Sequence, residues 1–356
     1  MNPFLYYTRN KRATCLFILI ISLCIFTVIT MITLESSVHY ASRKVMLSPL
    51  SEFSFARWRN PGEDPDIDAL NNFEYEYEIL EVALWHVGVD TMLGSSLSLS
   101  VITQNISDLE QIFTKSGLEM VGGSFPREGY NEIIVHENIM VNQNLNIGDD
   151  FFSALTVSGY FSGNVQTSFG LFDFGVASDF LLLPRADNLH LLNQELDELN
   201  LNSEYWEVFS HSRSLAGFEE SFSKMITVLY INLSLISLSI SIALGALAYT
   251  MYHGRLSEFA MLNALGYTRG EIGKLIFAET IIITSISWIF GYLLSLVTLF
   301  MFDISFFRRL GQSILFFSTE AMALSVAIVV FIIICATVPS LRKLFKSDLV
   351  STLERR

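Results

Sequence analysis

Cysteine is nearly absent: the 356 residues hold three, Cys15, Cys24 and Cys335. All three lie in long apolar runs, so the polar stretch between the first two runs has none. A disulfide framework and a thiolate metal site are therefore excluded there. A fold in that stretch must rest on its own apolar core, which about 190 residues can supply. The glycines of a nucleotide site are missing as well. Residues 268–275 come nearest to G-x-x-x-x-G-K-[ST], but Thr268 replaces the first Gly. Leu275 stands where a Ser or Thr would hold Mg²⁺. The six histidines are scattered, with no H-E-x-x-H helix and no ligand spacing. His86 and His136 sit in strand-like, half-buried contexts that suit packing, and no G-x-S-x-G elbow occurs. These absences predict a chain that is not itself an enzyme and holds no metal.

Positive charge is scarce. Lys and Arg number 22 against 36 Asp and Glu, a formal net charge of −14. The imbalance is concentrated in residues 35–224, with 29 acidic and 9 basic side chains. That sign excludes nucleic acid as a partner. It suits a solvated exterior or the attraction of a cationic ligand such as a basic peptide.

Apolar length, by contrast, is abundant. Residues 14–34, 225–252, 275–302 and 319–339 each reach the roughly 20 residues that cross a bilayer as a helix. The first run exceeds the apolar core of a signal peptide and lacks a small-residue cleavage site, so it reads as a retained anchor. Lys and Arg cluster in three of the flanks: Arg9, Lys11 and Arg12; Arg255, Arg269 and Lys274; Arg342, Lys343, Lys346, Arg355 and Arg356. The positive-inside rule then places residues 1–13, the loop 253–274 and the tail 340–356 in the cytoplasm. Residues 35–224 and the loop 303–318 fall outside.

The outer stretch alternates strands and turns. Strands are expected at 73–87, 97–103, 155–159, 181–184 and 205–209, and helices at 108–116 and 190–199. Residues 51–72 read as a polar loop around Pro61-Gly62-Glu63-Asp64-Pro65. Between Gly122 and Asp150 a turn, an apolar strand, a short helix and a Gly-Asp turn follow one another. The first apolar helix should run on outward until Pro49, and a single helix should span 215–252, giving two stalks. The fold class is a membrane α-helical chain of four transmembrane helices, with an α+β extracytoplasmic domain inserted between helices 1 and 2.

The densest local chemistry lies in the central cytoplasmic loop. Leu256, Phe259, Ala260 and Asn263 recur at helical spacing, and Gly266 stands where a left-handed cap favours glycine. Thr268 and Glu271 form an S/T-x-x-E capping box that starts the next helix. Glu279 falls about one turn inside the third span, where an unpaired charge is costly. Arg255 and Lys274 are its candidate partners.

Arg255, Glu258, Ala264, Leu265, Gly266, Ile272 and Glu279 read R-x-x-E-x-x-x-x-x-A-L-G, then I, then E. This string resembles the loop between the second and third membrane helices of FtsX/MacB-type ABC-transporter permeases. The stretch Gly129-Tyr-Asn131-Glu132-Ile-Ile-Val with Ile147-Gly148-Asp149 is similar to the outer domain of MacB-type proteins. The end of the chain, Pro339-Ser-Leu-Arg342 with Asp348, resembles that family's tail, although Leu349 replaces its usual Pro. The resemblance implies a permease subunit of the bacterial cytoplasmic membrane, working as a homo- or heterodimer on a separate cytoplasmic ABC ATPase, with an extracytoplasmic adaptor as a further partner. ATP and Mg would belong to that ATPase and none to this chain. Arg255, Leu256, Glu258, Phe259, Ala264, Leu265 and Gly266 would couple to it. The work implied is export or extraction of a peptide, antibiotic or lipid. The alternatives are an FtsX-like transducer that regulates a cell-wall hydrolase, and a peptide-sensing resistance module.

Overall fold

The computed structural model describes residues 11–346 except 61–62, 72, 74–75, 93, 185–187 and 203–204. The tail residues Asp348 and Leu349, the charges Arg9, Arg355 and Arg356, and Glu74 and Tyr75 of an expected strand lie outside the described residues. The chain divides into two units. One comprises Met1–Ser36, Met225–Phe302 and Leu315–Arg356; the other comprises Ser37–Lys224 and Asp303–Ile314.

Among the described residues four helices are long and apolar enough to cross a membrane, and most of their length lies in the first unit. They belong to α1 (Lys11–Leu47), α6 (His211–Gly254), α8 (Arg269–Phe302) and α9 (Thr319–Lys346). The short helix α7 (Leu256–Ala264) links α6 to α8. As expected, α1 continues past residue 34 and ends just before Pro49. Pro339 does not end α9, which runs through it to Lys346.

Pairs of contacts fix how the helices are directed. The Ser22 hydroxyl donates to the Ser287 carbonyl at 3.0 Å, and Thr30 to the Ser295 hydroxyl at 3.0 Å. Both pairs are 265 residues apart, so α1 and α8 run parallel. Tyr230 with Glu320 and Gly245 with Cys335 likewise share one offset, so α6 and α9 are parallel. Trp288 meets Ser325 and Gly273 meets Leu341, pairs that run in opposite senses, so α8 and α9 are antiparallel. Close approach depends on small residues. A Cβ on Gly291 would lie 2.7 Å from the Ser22 carbonyl oxygen, and one on Gly245 would lie 2.6 Å from the Cys335 Cβ. In an apolar solvent, packing of this kind stands in for the hydrophobic effect. Thr280, Thr284 and Ser287 are buried on the same face of α8, each satisfied by the carbonyl one turn back at 2.8–2.9 Å.

The second unit is a mixed sheet of ten strands, β1 (Ser54–Trp58), β2 (Tyr77–Thr91), β3 (Gly94–Thr103), β4 (Glu119–Gly123), β5 (Glu132–His136), β6 (Asp150–Phe151), β7 (Leu155–Ser162), β8 (Ser168–Leu171), β9 (Asp179–Pro184) and β10 (Trp206–Phe209). The order is β10-β1-β9-β2-β3-β8-β5-β7-β4, with β6 beside β7. Only β3–β8 and β5–β7 pair in parallel among these. Both faces are packed. Leu80, Val82 and Leu84 of β2 join one core with Leu109 and Ile112 of α3 (Ile106–Lys115). Ala83, Trp85, Val87 and Val89 join another with Ile139 of α4 (Glu137–Gln143). A third holds Leu70 of α2 (Ile67–Asn71), with Leu192 and Leu196 of α5 (Leu189–Asn202).

Several expectations are corrected here. β1 and α2 occupy the stretch expected as a loop, and β2 starts later and ends later than 73–87. His86 is exposed, whereas His136 is buried. The His136 Nδ1 accepts from the Asn138 amide at 3.1 Å and its Nε2 meets the Gly163 carbonyl at 3.1 Å, which fits a neutral ring that caps α4. Burial pushes its pKa below the ordinary histidine value. Residues 303–314 are more than a connector. A π turn (Asp303–Phe307) and a 3-10 turn (Arg308–Leu310) belong to the sheet unit. Asn142 donates to the Leu310 carbonyl at 2.9 Å, and Gln312 donates to the Asp90 carbonyl at 3.0 Å.

Candidate functional site

The loop between α6 and α8 is closed by local hydrogen bonds. α6 stops at Gly254, and the Arg255 carbonyl accepts from the Phe259 amide at 3.1 Å to begin α7. α7 closes in a Schellman arrangement: the Tyr267 amide reaches the Leu262 carbonyl at 3.2 Å and the Gly266 amide reaches the Asn263 carbonyl at 3.0 Å. Gly266 has φ +100, with open space where a Cβ would be, so backbone conformation alone calls for glycine. Thr268 and Glu271 bond reciprocally. The Thr268 amide donates to the carboxylate at 2.8 Å, and the Glu271 amide donates to the Thr268 hydroxyl at 3.3 Å.

Arg255 is the anchor. Its Nη1 donates to Glu279 Oε2 at 2.6 Å and its Nη2 to Oε1 at 3.3 Å, a two-pronged pair. The side chains are 8% and 2% exposed. Nε donates to Glu258 at 3.1 Å, and the guanidinium carbon lies 5.1 Å from the Phe259 ring centre and 5.9 Å from that of Tyr252. The Tyr252 and Thr280 hydroxyls meet at 2.8 Å beside it. Glu279 thus pairs with Arg255, one of its two expected partners, and α7 is tied to α8.

The residues of the R-x-x-E…A-L-G string divide between two surroundings. Phe259 is 1% exposed and packs in the helical core with Ala260, Tyr252 and Ile276, and Leu256 is half-buried against the same core. Ala264, Leu265 and Gly266 are exposed, with Leu265 at 76%. Met261, which the spacing argument passed over, is 56% exposed. A three-and-four pattern marks which residues share a face; Met261 falls off it, and its exposure had no separate signal in the sequence. Among the described residues no group of His, Cys, Asp and Glu is placed to hold a metal ion.

Residues 230–349 match the family model described as FtsX-like permease C-terminal. This part of the chain, about a third of it, is similar to that permease family. Members of that family are transport subunits that work with ATPase partners in ABC systems. The match takes in most of α6 and all of α7 and α8, so the Arg255–Glu279 anchor and the exposed Leu265 both lie inside the matched residues. Two solved structures are similar to the chain at low scores. The periplasmic region of MacB from Actinobacillus actinomycetemcomitans aligns at 12% identity, covering 48% of this chain and 94% of its own, with a TM-score of 0.28. The extracellular domain of the noncanonic ABC-type transporter YknZ from Gram-positive bacteria aligns at 12% identity, covering 44% and 99%, with a TM-score of 0.26. No curated protein matches the sequence.

Proposed function

We propose that the chain is the permease subunit of an ABC system in which α7 docks on a separate cytoplasmic ATPase. The observation that carries this reading is the buried Arg255–Glu279 pair, which ties the start of α7 to α8. A push on α7 is then a push on a membrane helix. Phe259 and Ala260 are occupied inside the bundle, so the docking surface is narrower than the motif: Glu258, Met261, Ala264 and Leu265, ending at Gly266. The helix directions support alternating spans, with α1 and α8 crossing in one sense and α6 and α9 in the other. Combined with the Lys and Arg flanks, they support cytoplasmic termini and an extracytoplasmic location for residues 35–224. ATP and Mg would act in the partner ATPase, two permease chains would form the transporting dimer, and an outer adaptor would complete it.

Export or extraction of a peptide, antibiotic or lipid is the reading preferred here. The acidic balance of residues 35–224 favours a cationic substrate over an anionic one. Cysteine labelling tests the arrangement. Asp64→Cys and Asn164→Cys should react with an impermeant reagent in intact cells and Ser257→Cys should not; labelling of Ser257→Cys from outside would overturn the docking role. Measuring ATP hydrolysis with and without basic peptides separates transport from a transducer that regulates a cell-wall hydrolase, which would show no substrate stimulation.

A further inference from the structure

The sheet unit holds a cavity of about 350 Å³ whose lining differs in charge from the rest of that unit. It is formed by Tyr40, Ala41 and Lys44 of α1, Asn138 of α4, Gln166, and the turn carrying Arg308 and Gln312. Its lining includes two cations, Lys44 and Arg308, and no carboxylate, although residues 35–224, which supply Lys44, hold 29 acidic and 9 basic side chains. Lys44 makes no ion pair among the described residues, whereas Arg57, Arg59, Lys115 and Arg127 each hold a carboxylate. Asp303 accepts from Arg308 Nε at 2.8 Å, and the two Nη groups of Arg308 make no hydrogen bond among the described residues. Gln312 commits its Nε2 to the Asp90 carbonyl at 3.0 Å, and its Oε1 is buried without a donor. The wall is well fixed. The left-handed Gly311 packs its Cα on the Asn138 backbone where no Cβ would fit, and Asp303 also accepts from the Ile314 amide at 3.3 Å.

We infer that this cavity binds a phosphate ester, with Lys44 and Arg308 on the phosphate oxygens and Gln312 Oε1 accepting from a hydroxyl or ammonium of the esterified alcohol. Lys44, which has no ion pair among the described residues, and the Nη groups of Arg308 lie beside an orphaned acceptor and match an anion that carries a donor a few bonds away. Two sources share that chemistry. One is a lipid headgroup, which rests on the membrane reading proposed above, and the other is a soluble phosphate ester, which does not.

The test uses the purified full-length chain in detergent. Native mass spectrometry would follow retention of phosphatidylglycerol against phosphatidylcholine, and titration with glycerol 3-phosphate would probe the soluble source. The wild type should prefer phosphatidylglycerol or bind glycerol 3-phosphate saturably. Lys44→Gln should weaken whichever is bound by about tenfold, the loss of one charge-assisted contact, and Lys44→Arg should restore it. Arg308→Gln also removes the Asp303 contact, so Lys44→Gln is the deciding variant. Preference for phosphatidylglycerol alone assigns the site to a lipid headgroup, and binding of glycerol 3-phosphate alone assigns it to a soluble ester. Equal retention of both lipids, together with no Lys44-dependent binding of glycerol 3-phosphate, would overturn the proposal. None of these readouts involves the ATPase, so a failure here is distinct from a failure of the docking role.

Discussion

Breaking the Arg255–Glu279 pair has a cost that can be worked from its burial. The two side chains are 8% and 2% exposed, and the short contact is 2.6 Å. Removing one partner from such a pair leaves a buried charge uncompensated, typically about 3–5 kcal/mol. Glu279→Ala should sit somewhat below that range, because Arg255 keeps Glu258 at 3.1 Å, and Glu258 is 45% exposed. Arg255→Leu leaves a carboxylate in the helical core and should reach the full figure. The double variant Arg255→Leu/Glu279→Leu removes both charges and replaces them with apolar volume. It should recover most of the loss, giving a coupling energy of roughly 3 kcal/mol in a double-mutant cycle. The assay is denaturant unfolding of the purified full-length protein in mild detergent. Stability and function should then separate, since the double variant is folded but has lost the tie between α7 and α8. Additive single effects, with no recovery in the double variant, would refute the idea that the pair is an anchor.

Gly291→Val should lower thermal stability sharply and impair α1–α8 packing, because its Cβ would lie 2.7 Å from the Ser22 carbonyl oxygen; unchanged stability in a melting assay would deny that contact. Residues 37–224 expressed alone should unfold cooperatively, and trimming to 51–214 should cost several kcal/mol, since Val45, Leu47 and Leu50 are 2–4% exposed and each contributes about 1.5–3 kcal/mol. The same fragment should lose stability as pH falls. The folded-state pKa of His136 lies below its unfolded value near 6.5, so the unfolded chain binds the proton first. That part of the stability is complete above about pH 6.5 and is lost as pH falls from there through the folded value. His136→Gln, which can keep both hydrogen bonds, should flatten this limb of the pH profile.

The long helices were legible in the sequence because each needs a run of apolar residues that nothing else in the chain resembles. The turn at Gly266 and the box at Thr268 and Glu271 were legible for a different reason: cap chemistry is local, set by residues three apart. Glu279 announced itself as a charge in an apolar run, and the structure selected Arg255 over Lys274 as its partner. The sheet was read less well. β2 is buried on both faces, so Leu80, Val82 and Leu84 serve one core while Val87 and Val89 serve another, and its alternation drifts. β1 was hidden because Arg57 and Trp58 look like loop residues until Asp179 takes the guanidinium. The membership of residues 303–314 in the sheet unit depends on Asn142 and Gln312, whose partners are 168 and 222 residues away. No local pattern encodes contacts at that separation.

The central claim is that the exposed face of α7 carries the ATPase contact. ATP hydrolysis by the partner ATPase, measured with the permease in lipid nanodiscs, tests it most directly. Leu265→Asp and Met261→Asp change side chains that are 76% and 56% exposed and should leave folding intact. The account predicts that both abolish stimulation of ATP hydrolysis and co-purification of the ATPase, while Phe259→Leu, inside the bundle, shifts stability and leaves coupling in place. Full stimulation by both aspartate variants would contradict it.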